Sequence, residues 1–295
     1  MNNRAGNTIY HIIAIVIVGI WGLTFISTKT LLIAGLTPEE IFLIRFCIAY
    51  AGMWLFELKS RPKLFCSSFK DELTMAVSGI MGGSLYFWSE NTALQYTMAS
   101  NVSFIVCTTP LLTALLYSAI KKVGIGKWTL VGSVMALLGI GMIAFSGGEE
   151  FHLSLIGDIL ALVASLTWAI YTIVTNDILK KYPSVMVSRK VFFYGLVTII
   201  PVLLYNGWAF PLSGFAQTKV LLNILFLGVI ASLICYAMWN VIIKKLGTVS
   251  SSNYIYLNPL FTLLGAALIL GERLAPVAIV GCVLTLAGVW TASRD

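Results

Sequence analysis

The chain has 295 residues, 59% of them hydrophobic and only 11% charged, with a formal net charge of +7 and a mean hydropathy of +0.93. Soluble domains carry about 25% charged residues, so a water-soluble domain of this length is excluded: it could not hide that much apolar surface. The basic surplus does not point to nucleic acid, because the basic residues are distributed by topology rather than gathered in one patch.

Ten apolar runs of about 20 residues follow one another, each able to cross a hydrocarbon layer of roughly 30 Å at about 1.5 Å rise per residue. The first, 9–33, follows Arg4 but is too long for a signal-peptide core and lacks a small-x-small cleavage site, so it reads as a retained span. It carries Trp21 near its middle, with His11 at the interface. The second, 38–58, has Arg45 near its start, and the third, 73–94, holds Trp88, Glu90 and Asn91. The fourth, 98–120, encloses Pro110; the fifth is 127–146. The sixth, 154–178, centres on Trp168 and Tyr171, with Asp158 and Asp177 near its ends. The seventh, 186–206, begins close to Lys190, and the eighth, 219–243, carries Tyr236, Trp239 and Asn240. Gly247 and the polar run after it read as a helix stop and a new start. The ninth span, 249–270, contains Tyr254, Tyr256, Asn258 and Pro259, and the tenth is 275–292.

Of the 19 Lys and Arg, all but Lys29, Arg45, Lys219 and Arg273 fall on one side when the spans alternate. By the positive-inside rule that side is cytoplasmic and holds both termini, which requires an even number of spans. Glu39, Glu40, Glu149 and Glu150 sit in or beside connections on the opposite side. Cys47, Cys66, Cys107, Cys235 and Cys282 include no C-x-x-C pair and read as packing. Two histidines leave no His-rich metal site, and no catalytic Ser/His/Asp or Cys/His set or P-loop is visible, so no cofactor, enzyme chemistry or ATP hydrolysis is expected.

The chain is also written twice, as units 1–147 and 148–295. An offset of 149 residues pairs Pro110 with Pro259, Thr113 with Thr262, Gly79 with Gly228, Asn91 with Asn240, Gly132 with Gly281 and Gly139 with Gly288. A slightly smaller offset pairs Trp21 with Trp168 and Arg45 with Lys190. Five spans per copy is an odd number, so the copies must be inverted relative to each other. The expected fold is therefore all-α integral membrane, ten transmembrane helices as two inverted five-helix repeats, an arrangement that builds two alternative gates around one site.

With these features the chain resembles the EamA family of the drug/metabolite transporter superfamily. The resemblance rests on the Trp-containing first span of each half, on ENTALQYTMASNVSFIVCTTPLLTALL at 90–116 and SSSNYIYLNPLFTLLGAALILGERL at 250–274, and on the Gly-containing last spans. Its most specific stretch ends at Gly271 and Glu272; in the first half Lys122 and Val123 hold those positions instead. The resemblance implies export or exchange of small metabolites such as amino acids, with drugs, nucleobases and vitamins among relatives' cargo.

The residues offer matching candidates. A buried ionisable group in a span usually faces a cavity or a partner, which makes Glu90 a candidate for a proton-coupling or substrate-amine site; the competing reading pairs it with Arg45 or Lys29. Asn91 and Asn240 are equally suited to interhelical hydrogen bonding and to substrate contact. Arg45 and Lys190, on opposite membrane faces, read as gate charges or interfacial anchors. Trp21, Trp88, Trp168, Tyr171, Tyr236, Trp239, Tyr256 and Asn258 are candidates to line the substrate path, against belt or packing roles. Pro110 and Pro259 predict kinks inside spans four and nine. The whole predicts a central cavity formed mainly by spans one, three, four, six, eight and nine, with four and nine included partly because the resemblance implies them. It would serve a secondary transporter working by alternating access in the inner or plasma membrane, its partners a small-molecule substrate, the lipid bilayer and, as candidate coupling ion, the proton. A channel for small solutes or ions is the alternative from another class, although no charge ring or filter-like motif is visible.

Overall fold

In a computed structural model of the protein, residues 3–57, 63–97, 99–145, 154–270 and 276–294 are described. Gly271, Glu272, Arg273, Glu149 and Glu150, singled out above, lie outside the described residues. The described residues contain no strand and form ten helical spans, as a chain must whose backbone amides have no water to bond in lipid. Spans one (Asn3–Ile33), two (Pro38–Glu57), five (Lys127–Phe145), six (Leu155–Leu179), seven (Ser184–Asn206) and ten (Pro276–Ala292) are single helices. Five helical stretches are long and apolar enough to cross a membrane on their own: Thr8–Ile33, Asn101–Lys121, Leu155–Leu179, Ser184–Asn206 and Thr218–Leu246. The outward faces remain greasy, with Leu55, Phe56, Leu204, Val283 and Trp290 all exposed.

Local sequence sets the ends. The Ser68 hydroxyl accepts from the Asp71 amide at the start of span three, and Ser154 does the same for Gly157 at the start of span six, the usual N-cap arrangement. Gly247 adopts φ 85° and its amide closes on the Ile243 carbonyl, which is the predicted stop between spans eight and nine. Lys122 takes φ 53° at the end of span four. That left-handed conformation favours glycine, the residue the second repeat places at the matching position 271.

The four remaining spans are irregular, and in matched ways. Span three runs as Phe69–Gly79, a π-helical stretch Ile80–Ser84, and Leu85–Tyr96; span eight runs as Thr218–Leu225, a π-helical stretch Phe226–Ile234, and Cys235–Leu246. Span four breaks after Ala99–Val106 and resumes at Thr109–Lys121, while span nine passes from Thr248–Asn253 through a 3-10 turn, Tyr254–Leu257, into Asn258–Leu270. Pro110 and Pro259 therefore stand at the start of a fresh helical segment in each span. Sequence reasoning expected kinks in continuous helices; the structure shows interruptions. Proline is well placed there, since the first turn of a helix has no use for its missing N–H.

Spans five and ten pack together through glycine. A Cβ on Gly139 would lie 2.5 Å from the Gly281 carbonyl oxygen, and one on Gly288 would lie 2.7 Å from that of Gly132. Residues 132 and 281, like 139 and 288, are repeat mates, so the two contacts exchange under the inversion. The other spans enclose a core in which Phe42, Phe46, Trp168, Tyr171, Tyr236 and Trp239 are buried.

Candidate functional site

Inside this core lies a narrow pocket with a cavity volume of about 30 Å³, room for one or two waters with the walls as they stand. Aromatic walls come from Trp21, Tyr86, Phe87 and Trp168, with Phe25 beside them. Trp21 and Trp168, matched across the repeat, meet edge to face with ring centroids 5.4 Å apart. Thr24, Thr109 and Asn258 add small polar groups. Two charges complete the lining: Arg45 and Glu90.

Both charges are buried, and both hydrogen-bond to neutral groups. Arg45 donates from Nε to the Ser232 hydroxyl in span eight at 2.9 Å, and its guanidinium lies over the Phe87 ring, 4.4 Å from the centroid. Glu90 accepts from the Tyr86 hydroxyl at 3.2 Å, one turn away on the same helix. Lys29 takes no part here; it donates to the Leu94 carbonyl, capping the C-terminal end of span three. Two further polar groups in the lining lack partners, the Trp168 indole N–H and the side-chain amide oxygen of Asn258. The pocket thus presents a cation, an anion, an unpaired donor and an unpaired acceptor between aromatic faces.

The other predicted residues stand around this pocket rather than in its wall. Asn91 donates to the Pro38 carbonyl at 3.3 Å. Asn240 donates to the Ser188 hydroxyl at 2.8 Å and accepts from Tyr171 at 2.6 Å. Each asparagine thus ties its span, three or eight, to the start of the preceding one. Tyr236 donates to the Gly82 carbonyl at 2.8 Å, and Trp21 donates to the Ala231 carbonyl at 3.1 Å. Those carbonyls lie 149 residues apart in the sequence, one in each π-helical stretch, where widened turns leave carbonyls open to outside donors. Trp239 is fully buried with its ring 4.9 Å from that of Trp21. Trp88 packs on the rim of the main core, and Tyr256 is buried beside Cys107 and Ala136.

Span eight, predicted as a wall, instead supports the pocket from behind through Ser232 and Ala231, while span two enters the wall through Arg45. Sequence reasoning missed Tyr86, Phe87, Thr24 and Thr109. Only Tyr86 carried a signal, since its i−4 spacing to Glu90 places a hydroxyl within reach of the carboxylate.

On the face holding the termini, acids from the first half meet bases from the second. Glu57 pairs with Arg189 and Glu72 with Lys190, and Asp71 bonds Lys181 at 2.7 Å and the Tyr182 hydroxyl at 2.9 Å. Glu72 also accepts from Tyr194 and, at 2.8 Å, from the Cys66 amide. In that loop burial and the neighbouring Glu72 carboxylate push the Cys66 thiol up to about 11, an inert position consistent with packing. Among the described residues no cluster could hold a metal ion.

The EamA-like transporter family matches residues 8–145 and 155–294, one copy in each half. A protein of Archaeoglobus fulgidus described as an uncharacterized transporter is 28% identical over 96% of this chain and 97% of its own length. A probable terminal-alkyne amino-acid exporter of Streptantibioticus cattleyicolor is 26% identical over 89% of this chain and 84% of its own. A probable amino-acid metabolite efflux pump of Salmonella typhimurium is 24% identical over 94% and 92%. A crystal structure with a TM-score of 0.78 covers 98% of this chain and 97% of its own at 17% identity, a likeness of fold. Inverted five-span repeats, a pocket between them and these matches agree: the chain belongs to the EamA-like transporter family, multi-pass membrane proteins that move small molecules and are not enzymes.

Proposed function

We propose that the protein is a secondary carrier for neutral and aromatic amino acids or close relatives, working as an exporter by alternating access, with its termini in the cytoplasm. The observation that carries this reading is the pair of opposite charges, Arg45 and Glu90, in one aromatic-walled pocket. An amino acid is a zwitterion on an apolar stem. Its carboxylate suits the flat, forked guanidinium of Arg45, its ammonium suits Glu90, and its side chain suits the faces of Trp21, Trp168, Tyr86 and Phe87. The relatives named for amino-acid export support that class. A proton and an ammonium compete for the same carboxylate, so Glu90 also offers a route for proton exchange without any further group. The positive-inside distribution of Lys and Arg supports the orientation and the cytoplasmic membrane.

Counterflow tests it. Proteoliposomes preloaded with unlabelled phenylalanine or leucine are given the labelled amino acid outside. Transient, saturable accumulation supports the carrier, and tyramine or phenylpropionate, each missing one charge, should compete poorly. Flux without saturation or counterflow would instead indicate a channel, and a full panel of amino acids that neither bind nor exchange would remove the substrate class.

A further inference from the structure

Thr109 and Asn258 line the pocket, as do Val106 and Ile255. Each of these pairs is separated by 149 residues, so all four are repeat mates. About one turn before them on the same spans stand Ser103 and Ser252, again 149 apart. The i, i+3 spacing from Ser103 to Val106, and from Ser252 to Ile255, keeps each serine on the face that reaches the pocket.

Both serines are buried, 3% and 0% exposed, and neither hydroxyl has a hydrogen-bond partner. A helical serine ordinarily returns its hydroxyl to a carbonyl of the preceding turn, as Ser251 does to Gly247 at 2.7 Å. A buried hydroxyl without a protein partner costs free energy, and here that cost recurs at two positions related by inversion. Ser103 lies between the pocket and the face opposite the termini, whereas Ser252 lies between the pocket and the face that holds them. Each sits on a short segment, Ala99–Val106 or Thr248–Asn253, set off from the rest of its span by the change of helical geometry ahead of Pro110 or Pro259.

We infer that Ser103 and Ser252 are the two gate positions of a single path, each sealed in this conformer and wetted when the segment that carries it swings outward. The inference rests on the carrier reading of the pocket. It extends that reading by placing the moving parts in spans four and nine and by naming the polar group that cargo meets on either side. Water or a polar group of the cargo then satisfies each hydroxyl in the open state, so the cost in the closed state lowers the barrier to opening.

The test uses single cysteines, Ser103→Cys and Ser252→Cys, in a chain whose five native cysteines are replaced by alanine, reconstituted in oriented vesicles. A membrane-impermeant thiosulfonate should modify residue 252 at least ten-fold faster from the terminus-bearing face, and residue 103 at least ten-fold faster from the opposite face. Reaction of neither, or of both from one face, overturns the inference. Labelled phenylalanine counterflow by the unmodified protein is measured in parallel. Normal counterflow without labelling removes the gates and leaves the carrier, whereas side-specific labelling without counterflow of any amino acid removes the substrate class and leaves the gates. Should the cysteine-free chain fail to fold, Ser103→Ala and Ser252→Ala in the native background provide a second reading: a thermal midpoint no lower than the parent with counterflow at least three-fold slower. Native counterflow in both variants overturns it.

Discussion

Replacing Glu90 by glutamine removes one charge from the pocket wall and little else. The amide oxygen still accepts from Tyr86, so the contact on span three survives, and the volume hardly changes. What is lost is a charge-assisted hydrogen bond to a ligand ammonium in a site that is 7% exposed and therefore poorly screened. Such bonds contribute about 1.5–3 kcal/mol; about 2 kcal/mol corresponds to a roughly 30-fold loss of apparent affinity. The assay is concentration-dependent phenylalanine counterflow in proteoliposomes, with 3-phenylpropionate as the control ligand, because it keeps the ring and carboxylate but has no ammonium. Glu90→Gln should weaken phenylalanine by about that factor and leave phenylpropionate unchanged or tighter. An equal loss for both ligands would mean the variant damages the pocket rather than one contact, and an unchanged phenylalanine affinity would refute the assignment.

Three further outcomes follow from the packing. Gly139→Leu or Gly281→Leu forces a side chain onto a backbone oxygen 2.5–2.6 Å from the first added carbon, and overpacking of this kind costs about 1–3 kcal/mol; a thermal midpoint in detergent equal to the parent's would contradict the close crossing of spans five and ten. Tyr236→Phe strips the Gly82 carbonyl of its outside donor, an expected loss of about 1 kcal/mol, read from the same midpoint; a variant as stable as the parent would show that the bond contributes nothing. Glu72→Gln leaves Lys190, whose side chain is 5% exposed, without its counter-charge, at a cost of roughly 3–5 kcal/mol. The reversed pair Glu72→Lys with Lys190→Glu should recover much of it, and a double-mutant cycle with no coupling would show the pair to be incidental.

Much of the architecture was legible because lipid leaves so few options. Apolar length gave the spans, loop charge gave their alternation, and Gly132, Gly139, Gly281 and Gly288 stood out as matched glycines on spans five and ten. The matched asparagines were legible as a pair but not as to role, since an amide serves a neighbouring carbonyl and a substrate equally well; Pro38 and Ser188 decide it. Neither π-helical stretch could be read, because a π turn depends on what donates to its freed carbonyls, and those donors, Tyr236 and Trp21, lie on other spans. The interruptions in spans four and nine were half legible: proline marked the place, but a kinked helix and a broken one have the same sequence. Arg45 was legible as a gate charge, an anchor or a partner for Glu90, and its sequence position does not choose among them, because only the approach of span eight brings its guanidinium into the wall of a pocket.

That approach also shows how a symmetric scaffold makes an asymmetric site. Arg45 and Lys190 hold matching positions on spans two and seven, and each reaches across to the π-bearing span of the other repeat. Lys190 finds the carboxylate of Glu72 on span three and is neutralised; Arg45 finds the hydroxyl of Ser232 on span eight and keeps its charge. Position 72 is matched in the second repeat by Leu221, and Glu90 is matched by Trp239, so the duplication supplies each acid once only. Features that shape the helices are therefore held in both copies: the π stretches, the interruptions, the glycine crossings and the asparagine ties. The charges that would recognise a ligand are held in one. An amino acid has no twofold axis, so a pocket on a pseudo-twofold must break it to bind one orientation, and the break lies in the charges. Exchanging Ser232 for aspartate would restore the symmetry by giving Arg45 the partner Lys190 already has. On this argument that change stabilises the fold or leaves it unaffected while removing carboxylate binding, and a Ser232→Asp variant that exchanges phenylalanine normally would place recognition somewhere other than Arg45.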